Sequence, residues 1–476
     1  MVGQGQTGAS GRSIGAMSDD TIIVRSPYDG SEVGRVPKCG PADVEQAVTT
    51  ARAALENEPL PPWRRAEILD HAARLLAERV EDFAKTIAAE SAKPLKTARI
   101  EARRAVGTVT FAAVEARKLA GDMVPVDAAQ VGEGKLAFTL RLPIGVVGAI
   151  APFNFPLNLV AHKVAPAIAA GCPVVLKPAS QTPLSSIALA KLLTDECGLP
   201  PGYLTVVTGG GSTVGNALVE NPDVAYITFT GSSEVGWDLK ARAARKKVAL
   251  ELGNNSPVII DADGDWDRAA RTISVAGFAH AGQSCVSTQR VYVHADVADD
   301  FCQTLTKLVS ELVIGDPMDE ETDVSALITT DDRDRVKAWV DEAVSAGAEV
   351  LTGGDVRAGI LAPTVLRNVT PDMRVCRDEV FGPVVVIQTF TDFEEALRLA
   401  DDTRFGLQAG VFTARLGAAL RAAGCLRFGT VLINEVPTWR ADQMPYGGVR
   451  DSGNTKEGPA SAVREMTEER LIVVQP

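Results

Sequence analysis

A strict alternation of strand and helix patterns, which begins near residue 144, most constrains the fold of this chain. The strands are uninterrupted apolar runs at residues 145–150, 174–176, 204–207 and 225–228, and each is followed by a helical pattern. Uninterrupted apolar runs are typical of parallel strands that are covered on both faces. The pattern therefore predicts an α/β protein with a doubly wound parallel sheet, whose ligands bind beyond the carboxyl ends of the strands.

A second α/β unit follows the first, because a chain of 476 residues is too long for a single core. Its predicted helices are residues 266–281, 296–312 and 333–346, and its predicted strands are residues 291–293, 384–387 and 430–433.

The amino-terminal part is predicted to be mainly helical. Apolar residues at spacings of three and four predict one helix over residues 63–90 and another over residues 95–119. Residues 123–126 and 135–142 are predicted to form a hairpin that pairs with another subunit. The strand predicted at residues 471–474 needs an edge to pair with, which also indicates oligomerisation.

Charge and cysteine content argue against several classes of protein. A formal net charge of −13 repels phosphate backbones, so nucleic acid is not an expected partner. Seven cysteines without a CxxC pair argue against a disulfide framework or a zinc site and favour a reducing cytoplasm. Residues 1–20 hold no apolar run long enough for a signal peptide or a membrane span, and we interpret them as a disordered leader. A membrane is therefore not an expected partner.

The segment Gly282-Gln283-Ser284-Cys285-Val286 gives a lone thiol small neighbours, between a predicted helix and a predicted strand. Cysteine acts as a nucleophile through its thiolate, and small neighbours leave room for a substrate to reach the sulfur. A buried structural cysteine would show the same local pattern. The interpretation of Cys285 therefore depends on the motifs elsewhere in the chain.

Glycine-rich turns at residues 209–215 and 231–236 each join a strand to a helix. Backbone N–H groups at a helix start favour a phosphate, although neither turn matches GxGxxG and tight-turn geometry alone is the alternative. Lys177 directly follows a buried strand, where it can reach ribose hydroxyls or a 2′-phosphate unless it is a solvated loop lysine.

Two polar residues stand in apolar surroundings. Asn154 is the only polar side chain in the segment 151–156, which two prolines and two aromatic rings stiffen. Its amide suits the stabilisation of an oxyanion, and capping of the next helix is the alternative. Glu251 stands between two leucines, where burial would raise its pKa and suit it to general base catalysis. A glutamate on an edge strand that faces solvent is the alternative.

Together these motifs resemble the aldehyde dehydrogenase superfamily. The segments that carry the resemblance are, in order, Pro152 to Pro156, Lys177-Pro178, Phe229 to Ser232 with Val235-Gly236, Glu251-Leu252-Gly253, Gly282 to Cys285, Glu379 to Pro383, and Pro445 to Gly448 with Ser452-Gly453. The resemblance implies a Rossmann-type cofactor-binding domain (21–121 and 143–252), an α/β catalytic domain (253–453) and a small β oligomerisation arm (122–142 and 454–476), in a homodimer or homotetramer.

The resemblance also implies a mechanism. Cys285 would attack the aldehyde as a thiolate, and Asn154 with the Cys285 N–H would hold the oxyanion of the thiohemiacetal. After hydride transfer to the nicotinamide, Glu251 would activate the water that hydrolyses the thioester. The implied cofactor-binding residues are Pro152, Lys177, Ser180, Gly211, Gly215, Phe229, Thr230, Gly231, Ser232, Val235, Leu252, Gly253, Glu379 and Phe381.

Two positions depart from the commonest pattern of this family near the cofactor. Ser180 stands where NAD-preferring members often carry a Glu that would repel a 2′-phosphate, so with Lys177 beside it we favour NADP over NAD. Asn254 replaces a second Gly after Glu251-Leu252-Gly253. Its side chain could narrow the nicotinamide site or restrict the movement of Glu251.

Two further positions bear on the substrate. Arg440 lies in a region that lines the substrate mouth in the family, where it could pair with a carboxylate, phosphate or sulfonate. A structural salt bridge to Asp442 or a neighbour is the alternative. Ser284 stands where phosphate-handling relatives often place a second Arg, which argues against a phosphorylated substrate.

We therefore predict NAD(P)-dependent oxidation of a small hydroxylated or anionic aldehyde, such as lactaldehyde or succinate semialdehyde, to the carboxylic acid. A CoA-acylating semialdehyde dehydrogenase is the nearest alternative, and Glu251 speaks against it. A cysteine hydrolase needs a histidine beside the thiol, and the four histidines form no such signature. A non-catalytic binding or structural protein on the same fold would not need all three catalytic residue types.

Overall fold

The structure is a computed structural model that describes residues 20–476. The leader predicted at residues 1–20 therefore lies outside the described residues, apart from Asp20. The α-helices are α1 (Pro41–Asn57), α2 (Pro62–Glu78), α3 (Val80–Ser91), α4 (Leu95–Lys118), α5 (Asn158–Ala170), α6 (Leu184–Lys191), α7 (Asn216–Glu220), α8 (Ser233–Arg242), α9 (Trp266–Ala276), α10 (Ala298–Ser310), α11 (Thr330–Ser345), α12 (Arg374–Arg377), α13 (Phe393–Asp401), α14 (Leu416–Cys425) and α15 (Pro459–Glu465).

The β-strands are β1 (Thr21–Arg25), β2 (Glu32–Pro37), β3 (Leu136–Pro143), β4 (Val146–Ile150), β5 (Val174–Lys177), β6 (Leu204–Val206), β7 (Val224–Thr230), β8 (Lys247–Glu251), β9 (Pro257–Ile260), β10 (Arg290–His294), β11 (Glu349–Thr352), β12 (Val356–Arg357), β13 (Ile360–Leu361), β14 (Thr364–Arg367), β15 (Val384–Phe390), β16 (Gln408–Phe412), β17 (Thr430–Ile433) and β18 (Thr467–Val474). No helix within residues 20–476 is both long enough and apolar enough to cross a membrane.

The first sheet has five parallel strands in the order β6-β5-β4-β7-β8, which confirms the predicted parallel sheet. Alternate residues of its central strand β4 belong to two different cores. Val147 and Ala149 pack with α2, α4 and α5 on one face, whereas Val146 and Ile150 pack with α1 and α7 on the other. Both faces are thus covered, which explains the uninterrupted apolar runs in the sequence.

The second sheet has seven strands in the order β11-β14-β15-β10-β9-β16-β17. Its strands are parallel except for β11, which runs antiparallel to β14 at one edge. Two apolar clusters cover its faces. An α/β fold with two mainly parallel sheets agrees with the predicted fold class, while the predicted domain boundaries stay a prediction.

The helix predicted over residues 63–90 is wrong as a single element, because the chain breaks at Arg79 between α2 and α3. Arg79 leaves the helical region at φ −114° and ψ 22°, and its guanidinium makes a paired contact with Glu196. Both helices bury the same side against one core, so the apolar spacing persists across the break. The apolar periodicity of the sequence therefore does not reveal the break at Arg79.

The predicted hairpin of residues 123–126 and 135–142 forms only in part. Met123 bridges Phe138 and the N–H of Val124 donates to the Ala137 oxygen at 3.0 Å, but Pro125, which has no N–H to donate, ends this pairing and precedes a 3₁₀ turn. Strand β3 instead pairs antiparallel with β18 along its whole length, from Leu136 opposite Val474 to Pro143 opposite Thr467. The carboxy-terminal strand thus finds an edge within its own chain.

A buried ion pair fixes the start of α5, the helix that follows the Asn154 segment. Lys93 and Glu101 are fully buried and contact each other through Nζ and Oε2. The other carboxylate oxygen of Glu101 accepts hydrogen bonds from the backbone N–H groups of Leu157 (2.9 Å) and Asn158 (3.1 Å). One carboxylate therefore neutralises a buried cation and satisfies two N–H groups at a helix start.

We expect Glu101→Ala to lower the free energy of unfolding by about 3–5 kcal/mol, because it leaves a buried charge and two buried N–H groups without partners. Glu78→Ala is the control, since its partner Arg74 is exposed and such pairs contribute at most about 1 kcal/mol. Chemical denaturation of both variants measures the difference. Equal stability of the two variants would contradict the role of Glu101.

Candidate active site

A cleft of about 1170 Å³ opens where the strands β4, β5, β7 and β8 of the first sheet end. All fourteen residues predicted to bind the cofactor line this one cleft, together with Asn154 and Cys285. The sequence motifs come from segments far apart in the chain. The fold brings them to the carboxyl ends of one parallel sheet, as such sheets do.

The loop that carries Cys285 begins where α9 ends, five residues earlier than the sequence predicts. His280, Ala281 and Gly282 follow one another with φ values of 51°, 53° and 69°. A side chain at Gly282 would place its Cβ 2.1 Å from the backbone oxygen of Gly382, so only glycine fits. Three left-handed residues in succession thus turn the chain after the end of α9, and Cys285 faces the cleft.

The Cys285 sulfur is partly buried and lies 3.1 Å from the hydroxyl of Tyr446. Burial raises the pKa of the Cys285 thiol to about 12, and the hydrogen bond to Tyr446 opposes that rise. The carboxylates of Glu379 and Glu251 raise the pKa further, whereas Arg440 lowers it.

Asn154 lies at the cleft wall beside this loop. Its Nδ2 donates a hydrogen bond of 2.9 Å to the backbone oxygen of Gln283, and its Oδ1 has no partner among the described residues. The contact fixes the amide two residues from Cys285. The second hydrogen on Nδ2 is left for an oxygen that binds next to the sulfur.

Glu251 ends strand β8 and lies just behind the cleft. Its carboxylate is buried, and neither oxygen has a hydrogen-bond partner among residues 20–476. Burial, together with the nearby carboxylate of Glu457, raises the pKa of Glu251 well above its ordinary value. Gly447 provides the space, because a Cβ there would lie 2.7 Å from a Glu251 oxygen.

Glu379 and Gly253 meet at one end of the cleft. Burial raises the pKa of Glu379 to about 7, and its Oε1 accepts a hydrogen bond of 2.8 Å from the backbone N–H of Asn254. A Cβ at Gly253 would lie 2.3 Å from the other oxygen of Glu379. Phe381 packs edge-on against Phe153 nearby, with the ring centroids 5.8 Å apart.

Lys177 and Ser180 line the cleft at the ends of the first sheet's strands. Burial lowers the pKa of Lys177 to about 8, and its Nζ donates one hydrogen bond, of 3.0 Å, to the Pro178 oxygen. The stem of Lys177 packs against Gly215, whose Cβ position lies 3.7 Å from the lysine Cδ. Ser180 Oγ donates to the Gly209 oxygen at 2.8 Å.

Comparison with known proteins identifies the chemistry that this arrangement serves. The family described as "Aldehyde dehydrogenase family" matches residues 15–472. The chain is 46% identical to a 3-sulfolactaldehyde dehydrogenase of Priestia aryabhattai, over 96% of this chain and 95% of that protein. It is 38% identical to a lactaldehyde dehydrogenase of Methanococcus aeolicus, over 95% of this chain and 97% of that protein.

A solved structure gives the same result. The glyceraldehyde-3-phosphate dehydrogenase of Methanocaldococcus jannaschii, complexed with NADP, superposes with a TM-score of 0.92 at 36% identity, over 97% of this chain and all of that chain. The chain belongs to the aldehyde dehydrogenase family. It is therefore an NAD(P)-dependent oxidoreductase that oxidises aldehydes, as the sequence motifs predict.

The cleft of this aldehyde dehydrogenase fits such a cofactor. Gly253 keeps open a space beside Glu379 that a methyl group would fill, and the buried Lys177 amine has a single hydrogen-bond partner in the described chain. The N-terminal end of α8, which Ser232 caps, also faces the cleft and suits a phosphate. Either NADP or NAD fits.

Two residues predicted to bind the substrate do not line the cleft. Arg440 is buried, and its guanidinium donates to Glu457 Oε2 at 3.1 Å and contacts His162 Nε2 at 3.0 Å. Ser284 Oγ accepts a hydrogen bond from the N–H of Val286 within the same loop. The structural salt bridge considered from the sequence is thus present, with Glu457 as the partner of Arg440 rather than Asp442.

The Asn254 side chain does not line the cleft. Its Nδ2 donates to Ser256 Oγ at 2.8 Å and to the Gln408 oxygen at 3.3 Å. It therefore neither narrows the cleft nor contacts Glu251. Instead, it ties the segment that follows β8 to strand β16 of the second sheet.

Sequence reasoning missed several groups of this site. Tyr446 lies within the segment Pro445 to Gly448, which is one of the segments that carry the family resemblance. That motif was the signal in the sequence that could have indicated a role for Tyr446. The guanidinium groups of Arg335 and Arg374 each lie 5.1 Å from the ring of Trp339, and all three residues line the cleft. No pattern in the sequence distinguishes them from surface residues.

We expect Gly253→Ala to weaken the binding of NADP and NAD at least about tenfold, because the new methyl group displaces the Glu379 carboxylate. Fluorescence titration with each cofactor measures the loss. Gly424→Ala in α14 is the control, since nothing lies within 4 Å of its Cβ position. Unchanged affinity in Gly253→Ala would show that Glu379 does not need this space.

Proposed function

We propose that this aldehyde dehydrogenase oxidises a small 2-hydroxylated aldehyde, lactaldehyde or 3-sulfolactaldehyde, to the free acid, with NADP preferred over NAD. The observation that carries the proposal is the grouping of Cys285, Asn154 and Glu251. The first two line the cleft, and the third is buried directly behind it.

Cys285 attacks the carbonyl carbon as a thiolate, and the carbonyl oxygen becomes the oxyanion of a thiohemiacetal. The free hydrogen on Asn154 Nδ2 and the N–H of Cys285 stabilise that oxyanion. A nicotinamide cofactor, when bound, supplies the hydride acceptor. Loss of the hydride leaves a thioester on Cys285. Glu251 then removes a proton from the water that attacks the thioester and releases the acid.

Hydrolysis rather than transfer to CoA is supported by Glu251. Its carboxylate has no partner among the described residues, and its raised pKa suits a group that accepts a proton from water. A buried carboxylate without a partner costs stability, which a reaction that needs a base accounts for.

The ion pair of the buried Arg440 guanidinium supports a substrate without a phosphate group. Arg440 is engaged with Glu457, so it offers no free charge to a doubly charged phosphate, and Ser284 beside Cys285 is neutral. The similarity to 3-sulfolactaldehyde and lactaldehyde dehydrogenases supports a three-carbon 2-hydroxyaldehyde. Succinate semialdehyde, which has no 2-hydroxyl group, is a weaker candidate.

The preference for NADP is supported by Ser180, which brings no negative charge next to Lys177. A 2′-phosphate there would meet the ammonium of Lys177 rather than a carboxylate. The NADP complex of the Methanocaldococcus relative supports the same preference.

A homodimer or homotetramer is proposed on the basis of the β3–β18 ribbon. It exposes apolar side chains, with Leu136 and Leu471 about half exposed, beside the charged residues Glu468, Glu469 and Arg470. A cytoplasmic location is proposed because Cys172, Cys197, Cys285, Cys302, Cys376 and Cys425 are free thiols, which suits a reducing compartment.

Kinetics with a panel of aldehydes and both cofactors tests the substrate. We expect kcat/KM for lactaldehyde or 3-sulfolactaldehyde to exceed that for succinate semialdehyde by at least about tenfold, which is the discrimination that one lost hydrogen bond supplies. Glyceraldehyde 3-phosphate has the 2-hydroxyl group but should also be at least about tenfold poorer, because Arg440 is paired with Glu457 and leaves its phosphate without a cation. Acid should form without CoA, and NADP should give the higher kcat/KM. Strict CoA dependence, or glyceraldehyde 3-phosphate as the best substrate, would refute the proposal.

We expect Glu251→Gln to lower steady-state turnover by about 10²-fold or more while leaving a burst of one NAD(P)H per site, because hydrolysis of the thioester loses its base. In the wild type, the pKa of Glu251 is raised, so the carboxylate is protonated at low pH and hydrolysis should speed up as pH rises through that pKa. The variant should lose this dependence. Stopped-flow absorbance measures both phases, Cys285→Ala should show no burst, and unchanged turnover in Glu251→Gln would contradict the assignment.

A further inference from the structure

The nucleophile of this site has a close polar neighbour that the proposed mechanism does not use. The hydroxyl of Tyr446 lies 3.1 Å from the sulfur of Cys285, although 161 residues separate the two in sequence. Tyr446 is only 3% exposed, and its ring packs with Val286 and Leu407 around the thiol. The contact is therefore dry and well packed on the side of the sulfur that faces the protein.

The backbone holds Tyr446 in this position. Its N–H donates to the Glu457 oxygen at 2.8 Å, and the N–H of Glu457 donates back to the Tyr446 oxygen at 2.5 Å. This two-way bridge fixes the main chain at both residues. Neither the ring nor the hydroxyl of Tyr446 needs to rearrange to keep its contact with the sulfur.

Arg440 lies on the face of the Tyr446 ring. Its Cζ is 3.9 Å from the ring centroid, and Glu457 holds the guanidinium at 3.1 Å. A cation over an aromatic face draws on the electron density of the ring. A phenol beneath a guanidinium is consequently a better hydrogen-bond donor than a phenol in an apolar pocket.

The direction of the hydrogen bond follows from burial. Burial raises the pKa of Tyr446 well above its ordinary value, so the phenol keeps its proton and can donate it. Cys285 loses its proton to water in the cleft rather than to Tyr446. Once the sulfur is a thiolate, it accepts a charge-assisted hydrogen bond from the phenol, which is stronger than the bond of the neutral pair.

We propose that Tyr446 is a catalytic residue whose hydroxyl stabilises the Cys285 thiolate, and that Arg440 is a positioning residue that acts through the Tyr446 ring. The inference rests on Cys285 being the nucleophile. It also gives Arg440 a function other than the recognition of an anionic substrate, because the guanidinium strengthens the donor that serves the sulfur.

Tyr446→Phe tests the first half of the proposal, since it removes one oxygen atom from a packed ring. The probe is iodoacetamide, and the readout is the pH dependence of alkylation of Cys285 in the full chain without cofactor, with the signal of Cys285→Ala subtracted. This readout does not depend on turnover. A failure of the proposed function in the kinetic panel is therefore distinguishable from a failure of this inference.

We expect alkylation of Cys285 at pH values below its midpoint to slow about tenfold in Tyr446→Phe, which corresponds to a rise of about one pH unit in that midpoint, because a hydrogen bond to a charged group is lost. The groups that face the sulfur besides Tyr446 are Glu251, Glu379 and Arg440. Both proteins contain these three groups, so their contributions to the alkylation of Cys285 cancel in the comparison.

Tyr292→Phe is the matched control. Tyr292 is also buried, and its hydroxyl donates to the Leu399 oxygen at 3.1 Å, away from the cleft. Its alkylation profile should match that of the wild type. An unshifted profile in Tyr446→Phe would overturn the proposal, and so would a loss of kcat without a shift, which would make Tyr446 a substrate contact instead.

A double-mutant cycle tests the second half. Arg440→Met is compared in the wild-type and Tyr446→Phe backgrounds, each with Glu457→Gln so that no buried carboxylate is left unpaired. We expect Arg440→Met to raise the Cys285 midpoint in the first background and to lose most of that effect in the second. Fully additive shifts would show that Arg440 acts without Tyr446 and would overturn its assignment as a positioning residue.

Discussion

The loss of hydration on burial is the physical constraint on which this active site depends. A thiol and a carboxyl group that are removed from water both keep their protons more tightly, and Cys285 and Glu251 show the effect strongly. The surrounding groups offset part of that cost in different ways. Tyr446 offers a hydrogen bond to the sulfur, whereas Lys163 and Arg440 provide positive charge close to Glu251.

The same constraint explains why two pairs of charged side chains are buried together in this part of the molecule. Lys93 with Glu101 and Arg440 with Glu457 are each buried almost completely. Each of these glutamates also holds the main chain of another segment. Glu101 does so through its side chain at the start of α5, and Glu457 through its backbone bridge to Tyr446. Glu101 and Glu457 thus each neutralise a buried cation and also hold a segment of the site in place.

The sequence predicts those parts of the fold that local pattern determines. Strands β4, β5 and β7 were recognisable because both of their faces are covered, which leaves an apolar residue at nearly every position. The motifs predicted to bind the cofactor or to act in catalysis were recognisable because each is a short segment of special composition, and several stand at the end of such a strand. Those segments converge on one cleft.

What the sequence does not reveal depends on contacts between distant residues. The break at Arg79 leaves the apolar spacing unchanged, and the partner of β3 lies roughly 320 residues further along the chain. The position of Arg440 follows from Glu457, and the contact of Tyr446 with Cys285 spans 161 residues. No local pattern carries this information, because the energy of each contact resides in two segments that only the fold brings together.

The pairing of β3 with β18 has a consequence for synthesis of the protein. The ribbon cannot form until residues 467–474 have left the ribosome, so β3 waits without its partner while the chain from residue 144 onward is translated. At ordinary elongation rates this takes on the order of half a minute. During that time an unpaired strand edge with exposed leucines is available to other nascent chains, so β3 is a segment of this enzyme that a chaperone would protect.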